Sequence, residues 1–573
     1  MSVARIAREN KRQLGQFMTP RITAAAIVNS LNIAEDDTIL EPSFGEGAFI
    51  FEIVSALAQR LGKQRAQEWA QTKLFGCEVD PRAFAAFSNQ WERLCLGPLP
   101  SSFECCDFLK WLPPGCDKGA AINRKKYVSS HLEFFDLVIG NPPFGGSIDR
   151  AIQDDLDDIL GFRDGMKIKK ETYAFFITKS LDLLKLGGRL CFICSDTLLT
   201  IPTMRGLRNW LHGNCDVRIS EVPESQFVDS KQDMLLVTLT KHNRKAPYVT
   251  VFDHHTRIED IEATENLSWR VNGEYARYFT GQTLGDKMVA SSGMTIGNNA
   301  LFLRHISDGI IEEPYDFSFG REQITLQREI MRARLGKIAP ARRKRIEELE
   351  RLGETQRVVV WTPREAPAIV AIPHEDYRYY NKATPQIIYS EPAWAIFWRD
   401  EGDYVYTFKK TGNWYLHGVG GKPYFGREGL TWALIAPRLR TRYLPAGYIL
   451  DSGAPCAFLR PGVEHDELLF IMGWTLTDLC TRILKNVINH TRNIQSKDFE
   501  RIPYPAWMSS QARADAIGCV KQLLGAARHG QVFDFNSPEV VALNGFYAYI
   551  APGISPHKQR AQHDGTALRL PLW

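Results

Sequence analysis

The chain has 573 residues, of which 44% are hydrophobic, 24% charged and 11% aromatic, a globular composition that excludes disordered, collagenous and coiled-coil classes. At about 100–200 residues per domain, this length calls for more than one core. Seventy Lys and Arg against 66 Asp and Glu leave a formal net charge of +4, so contact with a polyanion has to come from local clusters rather than from the total. No run of about 18 apolar residues marks a membrane span, and the opening MSVARIARENKRQ has no signal-peptide core, so a cytoplasmic location is expected. The eleven cysteines are irregularly spaced. The only C-x-x-C, Cys191 to Cys194, lies in the apolar run RLCFICS, where buried reduced thiols are expected rather than a zinc or redox site.

Over the first 240 or so residues, short apolar runs alternate with amphipathic stretches. TILEP, KLFGCEV, DLVIGNPP, RLCFICS and DMLLVTLT read as strands. AFIFEIVSALAQRLG and ETYAFFITKSLDLLKLGG carry apolar residues at helical spacing, the second with a stop expected at Gly187-Gly188. The alternation predicts a parallel, doubly wound α/β sheet over residues 1–245. From about residue 250 aromatics become dense and Gly and Pro punctuate short β-like runs, predicting a mixed α+β domain over 246–508. Residues 509–573 read as helical, with Ser537-Pro538 as a helix opening. Within the second domain, residues 321–345 hold nine basic residues (Arg321, Arg328, Arg332, Arg334, Lys337, Arg342, Arg343, Lys344, Arg345) against two acidic ones, a local balance of +7. That cluster is either a nucleic-acid contact or a solvated helix face, and the EELE that follows it favours the second.

The segment Asp136–Phe144, DLVIGNPPF, carries the sharpest chemistry. A strand runs into Asn141-Pro142-Pro143-Phe144, and two prolines cannot continue a sheet, so the chain turns at the strand's carboxyl edge, where open α/β sheets bind ligands. The Asn141 side-chain oxygen and the Pro142 carbonyl can each accept one N–H of an exocyclic amine, while Phe144 stacks on a planar ring. A second loop, Glu41-Pro42-Ser43-Phe44-Gly45-Glu46-Gly47, follows the first strand and opens a helix, and its glycines let backbone approach a ligand. Glu78 and Asp107 end later strands. Carboxylates without a basic residue in the glycine loop favour a nucleoside cofactor with a cationic tail over a phosphorylated one. No metal and no covalent nucleophile are required.

With Gly15-Gln16-Phe17-Met18-Thr19-Pro20 at the front, then EPSFGEGAF, GCEVDP, CDFL and IGNPPFGG, the chain resembles the N6-adenine DNA methyltransferases, and most closely the gamma class of bacterial restriction–modification systems, similar to the TaqI adenine methylase. The resemblance covers residues 15 to about 240 and extends weakly to Thr295–Asn299 and to INHTRNIQSKDFERIPYP. It implies a Rossmann-like methyltransferase sheet followed by a target recognition domain. Phe17, Thr19, Pro20, Glu41, Pro42, Gly45, Gly47, Glu78, Asp107 and Asn141 would surround S-adenosyl-L-methionine. Asn141, Pro142, Pro143 and Phe144 would hold a flipped adenine, and Phe227 would stack on its other face. Double-stranded DNA is the partner implied, on the nucleoid, and the arginine-rich 321–345 segment is the candidate DNA contact. Phe44, Glu46 and Met18 depart from residues common at their positions. With only 14 residues before Gly15, a cleavage domain is not expected here, so an endonuclease or other defence effector would be a separate chain. Methylation of RNA adenine, of protein glutamine or of cytosine N4, and a catalytically dead binding module, are the competing readings. The large second domain, the intact motif set and Asn at the corner weigh against them.

Overall fold

The computed structural model describes residues 18–116, 133–143, 156–163, 165–168, 171–223, 234–265, 267–271, 273–279, 281–324, 340–412 and 421–548. The chain divides into two compact units, residues 1–277 and 278–573.

In the first unit, nine strands form one sheet: β1 (Ile39–Glu41), β2 (Leu74–Glu78), β3 (Phe103–Cys105), β4 (Phe135–Gly140), β5 (Leu184–Ser195), β6 (Cys215–Glu221), β7 (Met234–Lys241), β8 (Tyr248–Val251) and β9 (His254–Arg257). Their spatial order is β9-β8-β6-β7-β5-β4-β1-β2-β3. Strands β1 to β5 pair in parallel, with Ile39 facing both Leu74 and Leu137, so the carboxyl ends of β1, β2 and β4 come out on one edge. Both faces are covered, which is why these strands read as continuous apolar runs. Leu137, Ile139, Cys191 and Ile193 join one core with α1 (Arg21–Ser30), α2 (Ala48–Leu61) and α3 (Lys63–Lys73), together with Phe87 and Trp91 of α4 (Pro81–Arg93). The alternate residues Val138, Leu190 and Phe192 are equally buried on the opposite face.

Three expectations are corrected. The sheet is mixed: β7 lies antiparallel between β5 and β6, pairing Met234–Thr240 with β5 and Leu235–Lys241 with β6. The helix α5 (Thr172–Leu183) stops at Leu183, not at Gly187-Gly188. Leu184 is already extended and paired with Phe135, and the glycines sit inside β5, with Gly187 at φ +81°. Finally, β8 pairs with β6 and β9 with β8, so the sheet runs past the boundary expected at 245. The C-x-x-C thiols Cys191 and Cys194 are buried in β5, and burial pushes Cys191 up to about 12.

The second unit holds two four-stranded sheets. One joins β10 (Met288–Ser291), β16 (Gly429–Thr431), β17 (Arg442–Leu444) and β19 (Cys456–Leu459). The other joins β11 (Leu303–His305), β14 (Tyr377–Asn381), β15 (Trp394–Phe397) and β18 (Tyr448–Leu450). A long antiparallel ribbon, β12 (Ile310–Gln323) with β13 (Thr355–Ala371), carries the helix α6 (Pro340–Arg351) in its connection. The C-terminal helices Ser510–Arg528 and Pro538–Phe546 are present, and Ser537-Pro538 opens the second as expected.

The two weakly resembling segments are fastened within this unit. Asn298 caps a short helix by accepting from Leu301 N at 3.1 Å. Asn489 donates to Asp498 Oδ2 at 2.8 Å and Asn493 O at 2.9 Å, and it accepts from Thr491 N and Oγ1 at 2.9 and 2.7 Å.

Candidate active site

The parallel register of β1, β2 and β4 gathers the residues that the sequence separates. Asn141 leaves the carboxyl end of β4. Its Nδ2 donates to Thr19 Oγ1 at 3.1 Å, and its carbonyl accepts from Ser43 Oγ at 3.3 Å. The loop before α1, the loop after β1 and the proline corner are thereby tied together. Pro142 is buried and Pro143 half-buried. A Cβ added at Gly140 would lie 3.4 Å from Pro42 Cδ and 3.6 Å from the Glu41 side chain, so the corner is seated directly on the first loop. Pro20 precedes α1 and accepts from Ala24 N at 3.0 Å.

Glu41 and Glu78, at the ends of neighbouring strands, are both 2% exposed. Glu78 is anchored: Oε2 accepts from Gly45 N at 2.8 Å and Oε1 from Asp80 N at 2.7 Å. Glu41 Oε2 is buried without a hydrogen-bond partner among the described residues, although the carboxyl receives the Ile50 backbone N–H. Burial, with the Glu78 carboxylate beside it, holds the Glu41 carboxyl well above the usual range; burial raises Glu78 as well, opposed by its two N–H donors. A buried, orphaned carboxyl oxygen next to a second acid is a site for a cation, and an ammonium or sulfonium would satisfy it. The residues present therefore fit the cationic tail of S-adenosylmethionine.

These shifts carry a sign. Glu41 binds its proton more tightly folded than unfolded, so the native state loses stability as pH rises above the unfolded carboxyl value. Glu41→Gln is expected to raise the thermal midpoint of the ligand-free protein at pH 8 and to leave it nearly unchanged near pH 4, while weakening cofactor binding. Scanning calorimetry at the two pH values, with S-adenosylhomocysteine titrations, checks both halves.

The two glycines of the first loop do different work. Gly45 has φ +58°, and a Cβ there would meet only Met18, at 3.5 Å, so the space beside it is open. Gly47 has φ +88°, and a Cβ would lie 2.5 Å from the Phe87 ring. Packing against Phe87 and Phe51 is by itself enough to require glycine at position 47. Phe44 has a matching reason. It is buried against Phe87 at 4.7 Å and Phe103 at 5.8 Å between ring centroids, so the larger residue fills an aromatic core.

Asp107 follows β3 and caps a turn, its Oδ1 accepting from Leu109 N at 3.0 Å. Two rim residues escaped sequence reasoning. Ser43 contacts the corner backbone. Val79, between Glu78 and Asp80, is 52% exposed, and an apolar side chain left open at a strand end is the signal that marks it. Phe17, Phe144 and Phe227 lie outside the described residues, as do Arg328, Arg332, Arg334 and Lys337. Of the remaining basic cluster, Arg321 is exposed at the end of β12 and Lys344 is exposed on α6. Arg345 pairs with Glu348 at 2.8 Å, and the side chains of Arg342 and Arg343 are outside the described set. An exposed pair of this kind contributes at most about 1 kcal/mol and is readily exchanged for another anion.

Two family models match this chain: the N-6 DNA methylase over residues 2–87 and the Eco57I restriction–modification methylase over residues 113–223. The chain is 27% identical over 294 residues to the Type II methyltransferase M.TthHB8I of Thermus thermophilus, covering 50% of this chain and 58% of that one. To M.VspI of Vibrio sp. it is 25% identical, covering 35% and 41%. The matches thus span from about two-fifths to under two-thirds of these relatives' own lengths. Among solved structures, the Type IIL restriction–modification enzyme MmeI in complex with DNA shares the fold over 96% of this chain and 74% of its own, with a TM-score of 0.51 at 10% identity. A DrdV–DNA complex gives 0.52 at 12% identity, over 90% and 57%. With the ordered motifs gathered on one sheet edge, and with the residues matched at 2–87 and 113–223, the first unit is similar to the N6-adenine DNA methylases of restriction–modification systems.

Proposed function

We propose that this chain transfers a methyl group from S-adenosyl-L-methionine to N6 of an adenine flipped out of double-stranded DNA, as the modifying member of a restriction–modification or phage-defence system. The first unit would do the chemistry and the second would read the DNA. The observation that carries the reading is Asn141 at the end of β4, its side-chain amide held by Thr19 and its backbone carbonyl by Ser43, beside the unpaired Oε2 of Glu41.

In this reading Glu41 and Thr19 hold the amino-acid tail of the cofactor, Glu78 faces the ribose and Asp107 the adenine amine, with Val79 packed on the nucleoside ring. When bound, the cofactor supplies a methyl group made strongly electrophilic by its sulfonium. Asn141 Oδ1 and the Pro142 carbonyl accept the two hydrogens of the target amine and draw its nitrogen toward tetrahedral geometry, which frees the lone pair. This acceptor pair binds the transition state better than the flat ground-state amine. Flipping takes a few kcal/mol, offset by stacking on Phe144 and Phe227 at about 1–3 kcal/mol per base.

Modification-sensitive sequencing of DNA from a host expressing the chain tests this directly. N6-methyladenine in one sequence context is expected. Folded protein with unmodified adenine in every context, or methyl transfer to RNA or protein instead, overturns it. Duplex binding is expected to weaken steeply with salt, and neutralising Arg342, Arg343 and Arg345 should flatten the log–log slope by about 0.9 for each phosphate that is no longer neutralised. An unchanged slope assigns that cluster to a solvated helix face.

A further inference from the structure

We propose that Lys179 is a positioning residue for the nucleoside end of the cofactor pocket, tying down the turn that presents Asp107. The inference rests on the methyltransferase reading above.

Lys179 lies on α5, the helix that leads into β5, and it is 0% exposed. Its Nζ donates to Leu109 O at 3.0 Å and to Trp111 O at 2.5 Å, and it sits 5.1 Å from the centre of the Phe108 ring. Leu109 is held from both sides, since its N–H donates to Asp107 Oδ1 at 3.0 Å while its carbonyl accepts from the lysine. Phe108 packs on Phe176, on the same helix as Lys179, with ring centroids 4.9 Å apart. At the far end of the turn, Trp111 Nε1 donates to Glu104 Oε1 at 2.7 Å. The position of the Asp107 carboxylate therefore depends on one buried ammonium about 70 residues away in sequence. An apolar side chain of the same length would fill the space without the desolvation penalty of a buried cation, but it would leave two inward-facing carbonyls unsatisfied.

The groups facing this ammonium are Asp107 on the turn, Asp182 on its own helix, and the thiols of Cys77 in β2 and Cys106 after β3. They raise its affinity for a proton, but burial outweighs them and brings it down to about 7. The ammonium thus loses its charge as pH rises through neutrality, and its hold on the two carbonyls weakens in the same direction.

The test uses the full chain, with S-adenosylhomocysteine and its 6-oxo analogue S-inosylhomocysteine as calorimetric ligands. Wild-type protein is expected to prefer the amine-bearing ligand, with an affinity that falls between about pH 6 and about pH 8.5. Lys179→Met should lose about tenfold in affinity for S-adenosylhomocysteine, the worth of a charge-assisted hydrogen bond, with little change for the 6-oxo ligand and a flat pH profile. Lys179→Gln, which keeps an N–H donor, should recover part of the loss, and it serves as the informative variant if the methionine protein does not fold. Equal losses for the two ligands, or an unchanged preference and pH profile in either folded variant, overturn the proposal. Wild-type protein that binds both ligands equally overturns it too. Wild-type protein that binds neither ligand overturns the methyltransferase reading itself.

Discussion

Replacing Asn141 with alanine is expected to lower the proposed methyl transfer by at least about 10²–10³-fold, the effect of deleting one preorganised group aimed at a developing transition state. In the proposed mechanism the substitution would remove the side-chain acceptor for the target amine and leave only the Pro142 carbonyl. It also removes the hydrogen bond to Thr19 Oγ1, while the backbone contact with Ser43 Oγ is unaffected because it uses the Asn141 carbonyl. The corner thus keeps its shape, and affinity for S-adenosylhomocysteine should change by less than about tenfold. Single-turnover transfer to a duplex carrying the recognised site, alongside calorimetric titration of the product cofactor, separates the two quantities. Full activity in the folded variant removes the assignment of Asn141. Loss of cofactor binding in step with activity would make Asn141 a cofactor residue rather than the group that activates adenine.

Gly47→Ala carries the second large effect, and it falls on stability. Position 47 opens α2 in the left-handed region, where an L side chain costs about 1–2 kcal/mol. The added Cβ also meets the Phe87 ring at 2.5 Å and Phe51 at 2.9 Å, an overpacking worth about 1–3 kcal/mol. Those rings form a cluster with Phe44, Trp91 and Phe103 that has little room to yield. The sum, about 2–5 kcal/mol, is a large fraction of a domain's stability, so denaturant unfolding of the first unit should shift to markedly lower midpoint. Gly45→Ala is the control. It carries backbone strain with an ordinary contact to Met18, and it should lose cofactor affinity before it loses the fold. Equal stability losses in the two variants would show that packing at Phe87 is not what requires Gly47.

The contrast between these glycines shows how far the residues could be read without the fold. G-x-G in EPSFGEGAF marks a tight strand-to-helix turn, and that is where it stands. Which glycine borders open space and which borders a phenylalanine ring depends on α4, more than 30 residues away in sequence. The acids behave similarly. Glu41 and Glu78 are legible as strand-end carboxylates, but their burial side by side, the orphaned oxygen and the raised proton affinity come from the pairing of β1 with β2.

Composition, apolar periodicity and motif order by themselves determined the α/β class of the first unit, the strands from TILEP to DMLLVTLT, the proline-stopped corner at Asn141 and the family resemblance, because each is written in contiguous residues. Only the tertiary structure decided the antiparallel placement of β7, the run of the sheet through Arg257, the start of β5 at Leu184 and the burial of Lys179 against the carbonyls of Leu109 and Trp111. Those features depend on strand order, register and side-chain volume across tens of residues, and a local pattern carries no record of which distant neighbour it will meet. The near-neutral +4 total takes its meaning from the same source. Charge acts through where it is placed: buried at Glu41, Glu78 and Lys179 in the first unit, and exposed at Arg321 and Lys344 in the second.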